Sequence, residues 1–139
     1  MTTISYLDSQ IPLRTDLLIE KRVRDLIGNA QAHQLWLMFL DKNEVQLPLL
    51  IPIADLPRRP DENATACVVG NIAEVMAEIG AVSLMVVWER CGPAHLGDDD
   101  SYWIRSFAKA CGAARLPLRA VLMSHRKGVR WIGADDYLV

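Results

Sequence analysis

Apolar residues recur at helical spacing near the start of the chain, at Ile19, Val23, Leu26, Ile27 and Ala30. This pattern predicts a helix capped by Thr15 or Asp16 and running to about Ala32. Glu20, Lys21, Arg22, Arg24 and Asp25 fill the opposite side, so one face is core and the other is wet. Two apolar runs follow, QLWLMFL (34–40) and VQLPLLIPI (45–53), separated by the turn formers of Asp41-Lys-Asn-Glu44. They predict an antiparallel hairpin. Pro48 and Pro52 lack N–H donors on one side of the second strand, which places it at a sheet edge or beside a bulge.

The polar stretch 54–65 reads as a mobile surface loop. A helix is expected from Ala66 to Ile79, with Val69, Ile72, Ala73, Met76 and Ile79 inward and Gly80 as its stop. AVSLMVVW (81–88) is nearly all apolar and reads as a mid-sheet strand buried on both faces. The next helix is expected from about Asp99 to Ala113, with Ile104, Phe107, Ala108 and Cys111 inward. LRAVLMS (118–124) and VRWI (129–132) read as the last strands, joined by a turn at His125-Arg-Lys-Gly128. The order α-β-β-α-β-α-β-β predicts one α/β domain over 1–139, a mixed sheet with helices packed on it. Residues 1–13 are an N-terminal extension and 133–139 a tail, whose Tyr137, Leu138 and Val139 can dock on the body or a partner. The strand–helix–strand unit from 81 to 124 should be parallel and right-handed.

Composition narrows the functions. The 139 residues are 51% hydrophobic and 23% charged, enough for a real core. The net charge of −2 lacks the basic excess of a general nucleic-acid binder. No apolar run approaches the roughly 18 residues of a membrane span, so no membrane association is expected. The first residues lack the pattern of a signal peptide. The three cysteines, Cys67, Cys91 and Cys111, form no CxxC pair and read as reduced thiols in a cytoplasmic protein.

The segment VVWERCGPAHLGDDDSYW (86–103) is the leading site candidate, since ligands in open α/β sheets favour the crevice beyond the C-terminal strand ends. Trp88, Arg90, Cys91, His95 and Trp103 form the candidate pocket. Asp98, Asp99 and Asp100 at a helix start disfavour phosphate, and with His95 they offer ligands to a divalent metal. Capping and solvation explain the same aspartates without a ligand. His95 reads equally as a solvated loop histidine. Cys91 beside Arg90 has no histidine at a recognisable partner spacing, so no nucleophile is assigned.

The order of elements, with a strand ending in Trp88-Glu-Arg90-Cys-Gly-Pro, Asp100 starting a helix and Leu116-Pro117-Leu118 leading into the next strand, resembles the RadC-like branch of the JAB/MPN metalloprotease fold. In that family the corresponding strand ends in HxHPSG, and its two histidines with the following aspartate hold a catalytic zinc. Trp88 and Arg90 stand at the histidine positions, and neither residue can ligate zinc. Asp100 falls one residue short of the family's spacing. Glu44, the nearest match to an upstream catalytic glutamate, sits in a turn and is not assigned. The resemblance implies a metal-free relative.

His125, Arg126, Lys127 and Arg130 with Trp131 form a basic-aromatic cluster that suits single-stranded nucleic acid, or a solvated turn. It can also complement the acidic 98–100 cluster, within a chain or between subunits. Of the four tryptophans, Trp36 reads as core, and Trp88 with Trp103 as the floor of the loop or an interface. The combined expectation is a protein-interaction or regulatory domain without catalytic residues or cofactor, working through a protein partner or as a homodimer. A metal-dependent hydrolase using His95 and Asp98–Asp100 is the second reading. A nucleic-acid accessory module is the third.

Overall fold

The first helix, α1 (Asp16–Leu26), starts where Thr15 Oγ1 accepts the Leu18 N–H at 3.2 Å. In this computed structural model, which describes residues 9–136, α1 ends well before Ala32. The Ile27 N–H still bonds to Val23, but Gly28 turns left-handed at φ +67°. Beyond it the Ala30 N–H donates to the His125 carbonyl at 2.9 Å, so Ala30 belongs to a loop held against the sheet. The apolar spacing at Ala30 marks that contact, not another helical turn. Tyr137, Leu138 and Val139 lie outside the described residues.

β1 (Gln34–Leu40) and β2 (Gln46–Ala54) form the expected antiparallel hairpin. The helix α2 (Glu62–Ile79) begins four residues before the expected start at Ala66. Asp61 Oδ1 caps it by accepting the Ala64 N–H at 2.7 Å, so the polar run DENAT is a helix start and the loop before it is shorter. Gly80 closes α2 in the left-handed conformation, as expected. β3 (Ser83–Glu89), α3 (Asp98–Ala113), β4 (Leu118–His125) and β5 (Gly128–Trp131) follow, with a short 3-10 turn at Ala134–Asp136.

Among the described residues the strands form one mixed sheet in the order β2-β1-β3-β4-β5. β3 and β4 are parallel, and the other neighbours are antiparallel. β2 is an edge strand, and its pairing to β1 is irregular between Met38 and Leu40. Both consequences expected of Pro48 and Pro52 are therefore present. α2 joins β2 to β3 and α3 joins β3 to β4. Both connections step across the sheet in the same direction and lie on the same face.

Alternation along the strands divides the core. Leu35, Leu37, Phe39, Leu84, Val86 and Trp88 pack under α2 and α3. Met38, Leu40, Met85, Val87 and Leu122 pack under α1 through Ile19 and Val23, both fully buried. No helix among the described residues is long and apolar enough to cross a membrane.

Candidate functional site

Trp88 and Arg90 are two apart at the C-terminal end of β3, so the strand period sends both side chains to the same face. Asp100, in the first turn of α3, meets them there. Its Oδ1 accepts the Trp88 indole Nε1–H at 2.8 Å. The Arg90 guanidinium bridges both carboxylate oxygens, with Nε at 3.2 Å from each and Nη2 at 3.0 Å from Oδ2. The Gly97 N–H also donates to Oδ2, at 2.9 Å. The N-cap of α3 is Gly97, which has no side chain, so Asp100 supplies the reciprocal bond from inside the helix. Capping by an aspartate, the ordinary reading of the acidic run, is thus present through Asp100.

Arg90 uses its remaining donors on the loop. Nη1 donates to the Pro93 carbonyl and Nη2 to the His95 carbonyl, the latter at 2.8 Å. The guanidinium folds back over Gly92, where an added Cβ would stand 2.9 Å from Nη1. The Arg90 N–H bonds to Ser124 and the Arg126 N–H to Gly92, which ties the loop to the end of β4. Arg90 and Asp100 side chains are only 11% and 13% exposed. Burial pushes the Asp100 carboxyl up, but Arg90, Trp88 and Gly97 together outweigh it and hold the carboxyl below its ordinary range.

Behind the network Trp88 stacks on Trp103 with ring centroids 4.6 Å apart, and Trp103 stacks on Phe107 at 5.1 Å. Both tryptophans are buried, which agrees with core packing. In front lies a cleft of about 700 Å³, lined by residues including His33, Arg58, Arg59, Trp88, Cys91 and Asp98. His33 meets Trp88 edge to face at 5.0 Å. Arg59 donates to Asp99 at 2.8 Å and lies over the Tyr102 ring. Cys91 is exposed.

Trp88, Arg90, Cys91 and the three aspartates thus come together at the cleft. Trp103 lines a separate small apolar cavity behind it. His95 enters only through its carbonyl. Among the described residues no three His, Cys, Asp or Glu side chains stand where they could hold one metal ion. The basic-aromatic cluster is divided between two faces. Arg130 pairs across from Met123, and its side chain bonds to Asp136 and the Ala94 carbonyl. Trp131 pairs across from Leu122 and packs on the α1 side. His125 is buried; burial, Arg90 and Arg130 push its pKa down. Arg126 and Lys127 are exposed at the turn.

Glu89 is the residue that the pattern of the chain did not single out. It points to the opposite face from Trp88 and is 3% exposed. Its carboxylate accepts from the Gln31 and Ala32 N–H groups at 2.6 and 3.1 Å. Gln34 Nε2 and Trp36 Nε1 also donate to it, each at 2.8 Å. Burial raises its pKa, the four donors lower it, and the net direction is down. Glu89 thereby fixes the loop that carries Ala32 and His33 into the wall of the cleft. A lone carboxylate at the end of an otherwise apolar strand was the available signal. Arg58 and Arg59, and the fold-back over Gly92, depend on tertiary placement that no local spacing reveals. No known protein family matches the chain, and no curated protein matches it.

Proposed function

We propose that this chain is a non-catalytic α/β domain that acts through protein contacts, as a homodimer or with another chain. We further propose that it is a metal-free relative of the JAB-like fold acting in the cytoplasm. One observation carries this reading. The carboxylate at the position of a metal-holding aspartate accepts hydrogen bonds from Trp88, Arg90 and Gly97 instead. A cation entering there would have to displace a guanidinium already held by Asp100 and two carbonyls. The hydrolase reading has less support, because Asp99 and Asp100 are each bonded to an arginine. The nucleic-acid reading has less support because Arg130 and Trp131 lie on opposite faces.

Metal analysis of protein purified without chelator tests this. Substoichiometric zinc and manganese are expected, in wild type and in Asp100→Ala alike. One equivalent of either metal, lost in Asp100→Ala or His95→Ala, would replace this reading with the hydrolase. Sedimentation velocity separates the two forms of this reading: a dimer supports self-association, and a monomer leaves another chain as the partner. For a dimer, unchanged association after charge reversal at Arg126 and Lys127 would remove that turn from the interface.

A further inference from the structure

We propose that the cleft binds a small zwitterion of the amino-acid or short-peptide class, its carboxylate on Arg58 and its ammonium on Asp98. This rests on the reading of the cleft as a binding site without catalysis. The lining holds three guanidinium groups, on Arg58, Arg59 and Arg90, and three carboxylates, on Asp98, Asp99 and Asp100. Two pairs neutralise each other: Arg59 with Asp99 at 2.8 Å and Arg90 with Asp100 at 3.0 Å. Arg58 and Asp98 are left over. Both are exposed, and neither has an ion pair or hydrogen bond among the described residues.

The two leftover charges are opposite, which selects among ligand classes. A simple anion would gain Arg58 and meet the carboxylate of Asp98, which has no ion pair or hydrogen bond of its own among the described residues. A multiply charged phosphate would fare worse. A simple cation would gain Asp98 and meet Arg58. A molecule with one charge of each sign at separate ends satisfies both groups, and each contact is charge-assisted. The volume is ample for such a ligand, and the cleft opens beyond the C-terminal end of β3, beside its parallel neighbour β4. His33, held in the wall by the Glu89-bonded loop, adds a polar ring.

The test is an amide NMR titration of the intact chain with glycylglycine, N-acetylglycine and glycinamide. Glycylglycine should give saturable shifts centred on Ala32, His33 and Gly97 to Asp99. The two singly charged analogues should bind about two- to fivefold more weakly, the loss of one exposed charge-assisted contact. Arg58→Ala should weaken glycylglycine to the level of glycinamide, and Asp98→Asn to the level of N-acetylglycine. Absence of saturable shifts, equal binding of the three probes, or shifts centred elsewhere would overturn the zwitterion site. Mass analysis of the mixture keeps the two readings apart: hydrolysis of glycylglycine at the cleft would overturn the non-catalytic reading, whereas failure to bind would overturn the ligand class alone.

Discussion

At the scale of single residues, buried polar groups account for more of the site than the acidic run does. Glu89→Ala would leave donors from Gln31, Ala32 and Trp36 without their acceptor. Chemical denaturation should show a loss of about 2–4 kcal/mol, since several donors are stranded together. Glu89 and Asp100 both have folded pKa values below their ordinary ones. Their stabilisation is therefore complete above the unfolded values and is lost as pH falls through the folded ones. Stability should drop as pH falls below about 4–5, and Glu89→Gln should flatten that slope. A stability that rises on acidification would contradict this sign. Cysteine chemistry gives an independent check. Cys67 and Cys91 are exposed, while burial pushes the Cys111 thiol up to about 12. A thiol reagent at neutral pH should label the first two quickly and Cys111 only on unfolding.

At the scale of elements, apolar periodicity carries most of the fold. The eight-element order, the edge placement of the proline-bearing strand and the buried character of β3 were legible because each has a local cause. Element ends were less legible. Gly28 stops α1 through a left-handed turn, and Asp61 starts α2 inside a run that reads as loop. Gly28→Ala should lower stability by about 1 kcal/mol, measured as a shift in the denaturation midpoint. Among the described residues α1 is the helix that covers its face of the sheet, through Ile19 and Val23. Ile19→Ala should cost about 2–4 kcal/mol by leaving a cavity there. A loss within about 0.5 kcal/mol, the range of ordinary surface changes, would mean that α1 does not hold that face.

At the scale of the whole molecule, the fold brings the ends of β3 and β4 to the start of α3 and closes that junction with Trp88, Arg90 and Asp100. The position of the site was legible, since it follows from strand and helix order. Its contents were only partly so. Trp88 and Arg90 could be seen to lack metal-ligand chemistry, but their convergence on Asp100 depends on β3 and α3 meeting in space. The central claim is that these polar groups satisfy each other. A double-mutant cycle on stability, with Arg90→Ala, Asp100→Ala and both together, tests it most directly. Each single change should cost about 3 kcal/mol by leaving a nearly buried charge without its ionic partner. The double variant should cost less than the sum by about 2 kcal/mol or more. Additivity within about 0.5 kcal/mol would contradict the account and leave Asp100 available to a ligand or metal.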